Sequence, residues 1–127
     1  MTRFLLVCLG GALGSGARYL VSLGAAAAFG IGFPYGTLIV NVAGSFAVAF
    51  VMQASMTGEV LTPEWRLLLA TGVMGGFTTY STFNYETMGY FRQGAWGVGT
   101  LNVAATLIGC LVAGLAGFAL ARLIFGR

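Results

Sequence analysis

Thr71-Gly-Val-Met-Gly-Gly-Phe-Thr-Thr-Tyr-Ser-Thr-Phe-Asn84 lies within a hydrophobic run and decides the fold. Gly75-Gly76 followed by Thr78, Thr79, Ser81 and Thr82 is poor material for a continuous helix. Glycine loses most backbone freedom on folding, and β-branched residues lose rotamer freedom. Inside a membrane a broken helix is tolerated only where protein or a cavity covers it, and its freed carbonyls can coordinate a cation. The stretch predicts a helix broken near mid-membrane; the alternative is an unbroken helix with a glycine-lined packing face.

The membrane setting follows from the rest of the chain. Of 127 residues, 58% are hydrophobic and 7% charged, whereas a soluble domain carries about 25% charged residues. So few charges cannot cover a water-facing surface. A helix crossing the hydrocarbon core needs about 20 mostly apolar residues. Stretches of that length fall at approximately 4–29, 35–56, 66–91 and 96–124, separated by breaks at Gly30-Ile31-Gly32-Phe33-Pro34, Thr57-Gly58-Glu59 to Pro63, and Arg92-Gln93-Gly94. The expected fold is an all-α membrane protein, one four-helix unit over 1–127 with the third helix broken. The start, one Arg and then an apolar run, imitates a signal peptide. Because the run continues past Arg18 and further spans follow, it reads as a retained first helix.

Four spans put both termini on one side. Arg3, Arg66, Arg122 and Arg127 then stand against Arg92 and, if it reaches that face, Arg18 on the other. This bias toward termini in the cytoplasm is weak, since Glu59 and Glu64 crowd the same loop, and insertion in both directions stays open. So small a chain encloses a conduction path most economically as an oligomer. The 21 glycines fit that expectation, because Gly10 and Gly14, Gly72 and Gly76, and the row Ala105, Gly109, Ala113, Gly117 each keep a four-residue spacing on one face.

Polar side chains inside a span are costly unless they find partners or water. Thr37, Asn41 and Ser45 form one stripe at four-residue spacing, and Asn102, Thr106 and Cys110 form another. Each stripe is either cross-helix glue or the lining of a path. Arg18 either snorkels to the interface or gives positive potential to a vestibule. Glu86 is the only acid outside the second loop, and pairing with an Arg is one of its two expected states.

Several functions are excluded. The scattered Arg offer no nucleic-acid patch. With no His and only Cys8 and Cys110, both in apolar stretches, there is no zinc or iron ligand set. No nucleophile and base can be paired, so no enzymatic activity is expected. Gly10-Gly-Ala-Leu-Gly lacks the Lys of a phosphate loop. No titratable carboxylate or His stands at mid-membrane for proton coupling. Hydroxyls and amides along a narrow passage suit a small, strongly hydrated anion, and the positive ring edges of Phe77 and Phe83 can add to them.

In its motifs the sequence resembles the Fluc (CrcB) family of fluoride ion channels over nearly its whole length. The likeness is carried by Gly10-Gly-Ala-Leu-Gly-Ser-Gly-Ala-Arg18-Tyr, Gly36-Thr-Leu-Ile-Val-Asn41-Val-Ala-Gly-Ser45, Gly72-Val-Met-Gly75-Gly-Phe-Thr78-Thr-Tyr-Ser-Thr-Phe83 and Thr106-Leu-Ile-Gly-Cys110. The resemblance implies an antiparallel, dual-topology homodimer in the bacterial inner membrane, with two fluoride pores and passive, selective fluoride efflux that protects the cell. It also implies a structural sodium ion at the dimer interface, held by the main-chain carbonyls of Gly75 and Thr78 from both subunits. It gives Asn41 the role of pore amide and Phe83 that of the second pore aromatic. Ser81, Thr82 and Thr106 fall on the polar track, Arg18 on the helix-one arginine and Glu86 on the vestibule acid. Two positions depart from the family pattern: Tyr80 stands where the first pore Phe is usual, and Cys110 where a Ser is usual. The rivals are a small multidrug exporter, which needs a first-span carboxylate where this chain has Arg18, and a non-transporting assembly subunit.

Overall fold

The computed structural model describes residues 1–56 and 61–126. Glu59 and Arg127, which enter the charge reading, lie outside the described residues. Every regular element among the described residues is helical.

Helix α1 spans Thr2–Phe29. Its 28 residues reach about 42 Å at 1.5 Å per residue, more than the roughly 30 Å hydrocarbon core. It stops where Gly30 turns to φ 77°, a conformation that favours glycine, while the Gly30 N–H still bonds Ala26 O. Pro34 then leads into α2, Tyr35–Met56. Helix α6, Trp96–Phe125, follows a turn in which Gly94 adopts φ 75°. These three helices are long and apolar enough to cross a membrane.

The stretch 63–92 is built differently. Thr62 caps α3 (Pro63–Arg66) by accepting from Trp65 N–H, with Pro63 at the first turn where its missing N–H costs nothing. A π-helical segment, Leu67–Met74, follows and then the short α4, Gly75–Phe77. Thr78 (ψ 157°) and Thr79 (φ −153°, ψ 108°) are extended, and α5 runs from Tyr80 to Arg92. The interruption thus falls after the Gly75-Gly76 pair, on the two threonines. The π geometry has no signal in the residue pattern described above.

Helix α2 packs along α6, and α1 lies against the π segment and α4. Glycine sets both approaches. A methyl group on Gly10 would sit 2.7 Å from Leu68 O and 2.9 Å from Gly72 Cα, and one on Gly14 or Gly76 would run into Val73 O or Gly11 O. On α6, Gly117 meets the Phe46 carbonyl of α2 and Gly109 faces Val42. The glycine rows expected to serve oligomerisation therefore join helices of one chain. They carry no information about a second copy.

Burial is inverted relative to a soluble protein. The buried non-glycine side chains are apolar at Ala25, Val40, Ala54, Phe83 and Ala121 but polar at Thr37, Asn41, Thr79, Thr87, Asn102 and Thr106. Leu9, Leu13, Leu20, Leu111, Leu115 and Leu123 are all exposed. An apolar exterior around a polar interior is stable where the surroundings are themselves apolar.

Candidate pore-lining site

The break in 63–92 is held by one side chain of α2. Asn41 Nδ2 donates to Thr79 O (3.1 Å), and the Thr79 N–H donates to Asn41 Oδ1 (2.8 Å). Both groups are buried, and the backbone's polarity dictates which way the amide faces. In a continuous helix the Thr79 N–H would serve the Gly75 carbonyl four residues earlier. Asn41 takes that donor, and the Gly75 carbonyl is released from its helical bond. One step on, the Thr82 N–H, which would serve Thr78 O, is capped by Thr79 Oγ1 (3.3 Å). The two carbonyls singled out by the sequence are those whose helical donors have been captured by side chains.

Around the break lies a partly open cavity of about 510 Å³. Asn41 and Ser45 of α2, Gly75, Thr78, Tyr80 and Phe83 along 75–83, and Thr106 and Cys110 of α6 all line it. The Tyr80 and Phe83 rings are 5.7 Å apart and tilted by 53°. Tyr80 is 75% exposed although it lines the cavity, whereas Phe83 is buried. The Cys110 thiol is free and half-buried.

Other sequence-predicted residues fall elsewhere. Thr82 and Glu86 line a second cavity of about 380 Å³, together with Ser22, Thr37 and Tyr90. There Glu86 Oε1 accepts from the Thr37 hydroxyl at 2.9 Å. Among the described residues no arginine pairs with Glu86, and the ion pair found there is Arg3 with Glu64 at 3.7 Å, in which both side chains are exposed. Thr37 sits one turn from Asn41 on α2 and reaches Glu86 first. Ser81 is exposed, with its hydroxyl 3.4 Å from Thr79 Oγ1. Arg18 and Phe77 line neither cavity.

Three positions that shape the surroundings of the break carry no role in the sequence reading. Thr79 caps α5, and the spacing Thr79-x-x-Thr82 at a helix start was the available signal. Tyr90 lines the second cavity, its hydroxyl donating to Gly32 O at 3.3 Å. Thr87 links α5 to α6: its hydroxyl donates to Phe83 O (2.8 Å) and accepts from Asn102 Nδ2 (2.9 Å). Among the described residues three buried side-chain atoms have no hydrogen-bond partner, namely Glu86 Oε2, Asn102 Oδ1 and Thr106 Oγ1.

A helical chain with a leucine exterior, a polar interior and a cavity edged by hydroxyls, an amide and ring edges is a polytopic membrane protein. Comparison with known proteins supplies the particular family. The chain belongs to the family described as CrcB-like protein, Camphor Resistance (CrcB), which it matches over residues 5–118. It is 57% identical to the fluoride-specific ion channel FluC of Anaeromyxobacter sp. (strain K) over 126 residues, which are 99% of this chain and 100% of that one. It is 49% identical to the protein of the same name from Sorangium cellulosum (strain So ce56), covering 96% of each. Against that of Clostridium perfringens (strain 13 / Type A) identity is 44% over 95% of this chain and 94% of the relative.

Proposed function

We propose that the chain is one subunit of a fluoride-selective ion channel in the bacterial inner membrane, through which fluoride leaves the cell passively. The single observation that carries this reading is the cavity where Asn41, Tyr80, Phe83, Thr106 and Cys110 converge. Its side chains supply hydrogen-bond donors beside the released Gly75 and Thr78 carbonyls. One Nδ2 proton of Asn41 is committed to Thr79 O, and the other is free for an anion. Tyr80 adds a hydroxyl, Cys110 a weaker thiol donor, and both rings an electropositive edge. Such groups replace the water that a small halide sheds, and a passage narrow enough to need them excludes chloride. The names of the full-length relatives support the same ion.

In this reading 66–91 crosses the membrane as the third of four spans, in two halves meeting at Thr78 and Thr79. Two chains inserted in opposite directions pair so that each covers the open side of the other's cavity. The Gly75 and Thr78 carbonyls, released from helical bonding by Asn41 and Thr79, are suited to a hard cation such as sodium. When bound, that ion holds two breaks together and is not transported. Thr82, Glu86 and Arg18 belong to the approaches, where Thr37 orients the carboxylate.

The test is fluoride flux from liposomes holding the purified protein. Fluoride leaves and chloride does not, and Asn41→Leu or Phe83→Ile abolishes the leak, with the Phe83→Ile dimer surviving in detergent. Undiminished flux in both variants defeats the pore assignment. A drug exporter or an assembly subunit gives no fluoride leak. Repeating the dimer measurement without sodium tests the metal claim.

A further inference from the structure

We propose that Arg3 and Arg66 hold the phosphate of an anionic phospholipid in the cavity they share, where α1 and the π segment begin. The site goes beyond the channel reading and does not depend on it.

The two arginines come from different elements. Arg3 is the second residue of α1, and Arg66 closes α3 immediately before the π segment. The fold brings them to one cavity of about 450 Å³, which they line together with Met52 of α2 and with Leu67, Ala70 and Thr71 of the π segment. Small-molecule sites run to roughly 300–1,000 Å³, so a phosphoglycerol headgroup has room there.

The protein leaves the charge of this cavity largely uncompensated. Arg3 faces Glu64 at 3.7 Å, with the two side chains 73% and 50% exposed, and a pair so open to solvent contributes little and is easily exchanged. Among the described residues Arg66 makes no ion pair. With Glu64 counted against the two arginines, one positive charge remains in excess, and a phosphodiester carries one negative charge. The guanidinium fork also matches phosphate oxygens in shape, since it can donate to two of them at once.

Placement favours a lipid over a soluble anion. Positions 3 and 66 stand just before the apolar runs of α1 and of 67–74, the level at which phosphates border the hydrocarbon core. Trp65 beside them is 54% exposed, and tryptophan is enriched at that level. Below the guanidinium groups, Met52, Leu67 and Ala70 give an apolar wall for the glycerol end of the acyl chains, and Thr71 adds a hydroxyl donor for an ester carbonyl. A free anion would meet two exposed, salt-screened arginines and gain nothing from that wall. A phospholipid is already held at the right depth by its chains, and basic pockets between transmembrane helices suit anionic headgroups for this reason.

Trp65 provides the test. The chain has two tryptophans, so Trp96→Phe leaves the neighbour of Arg66 as the sole reporter in the full-length protein. This protein is placed in phosphatidylcholine vesicles containing a minor fraction of phosphatidylglycerol or of phosphatidylcholine, brominated near the top of the acyl chains. Quenching by the brominated phosphatidylglycerol is expected to exceed that by the brominated phosphatidylcholine severalfold. Arg3→Gln and Arg66→Gln should each lower this preference about fivefold, the worth of one arginine near an anionic surface. Arg66→Lys, which keeps the charge, should retain more of it than Arg66→Gln. Arg122→Gln should leave it unchanged: Arg122 lies in the last turn of α6, whose Phe125 meets Phe50 near the same end of α2, but it does not line the cavity. Added inorganic phosphate should also leave it unchanged. Equal quenching by the two lipids overturns the site, as does Arg66→Lys failing as badly as Arg66→Gln. A loss in Arg122→Gln matching that in Arg66→Gln would make the preference a diffuse surface effect, and its removal by inorganic phosphate would make the occupant a soluble anion; either result overturns the proposal, whatever the protein conducts.

Discussion

Asn41 has two tasks that its position in a polar stripe does not separate. One face of its amide lines the cavity, and the other replaces a strand-like partner for the Thr79 backbone. Replacement by leucine should therefore cost stability as well as flux, because the buried Thr79 N–H and C=O lose their partners together. Each orphaned group costs about 1–3 kcal/mol, so thermal unfolding of Asn41→Leu in detergent is expected to fall well below that of Cys110→Ala, which removes no paired group. Equal melting of the two would show that the break needs no pin. The same geometry sorts the hydroxyls of 80–83. Once a helix starts at Tyr80, Tyr80 and Phe83 share a face at i and i+3, while Ser81 and Thr82 are turned about 100° and 200° away. Thr82 then faces the way of Glu86, four residues on, in the second cavity. Ser81 and Thr82, neighbours in sequence, are therefore divided between two faces of α5.

At the scale of elements, the approach of α1 to the π segment is set by backbone meeting backbone. Gly14 lies against Val73 O, whereas Gly16, two residues later on α1, has open space where a side chain would go. Gly14→Ala is expected to destabilise the fold by about 1–3 kcal/mol, as overpacking does, while Gly16→Ala is neutral or stabilising by up to about 1 kcal/mol through helix propensity. Denaturation of the two variants side by side checks this, and equal stability would contradict the close contact. The long helices α1, α2 and α6 were legible because twenty-odd apolar residues between Gly, Pro and polar breaks have few other folds. The weakness of 71–84 as a helix was legible too. The residue at which it breaks was not: Gly75 and Gly76 remain helical, and the chain leaves the helix at Thr78, one residue before Thr79, whose N–H and C=O Asn41 takes.

The whole molecule leaves its polar cavity partly open and its leucines exposed, so a lone chain in lipid does not seal a path. A second copy should be required for function. Diluting the protein into an excess of lipid, until vesicles hold at most one chain each, is expected to abolish fluoride leak, and fusing two chains in tandem with a linker that permits opposite orientations restores it. Persistent leak from single-chain vesicles would overturn the dimer. Sodium enters at this scale as well: if the Gly75 and Thr78 carbonyls of two chains hold one ion, its removal loosens the pair, and the dimer is expected to dissociate at lower protein concentration in sodium-free buffer.

Composition, hydropathy and the order of the motifs determined by themselves that this chain belongs in a membrane, how its long helices are bounded, and which family it joins. Those properties are sums or spacings along the backbone, and they survive whatever the helices do in space. Tertiary structure alone decided that Asn41 frees the Gly75 carbonyl, that Thr37 meets Glu86, that the glycine rows close one chain on itself, and that, among the described residues, Thr106 Oγ1 is buried without a partner. Each depends on which donor reaches a buried acceptor first, and that is settled by helix crossings and rotational register, for which a one-dimensional pattern has no coordinate.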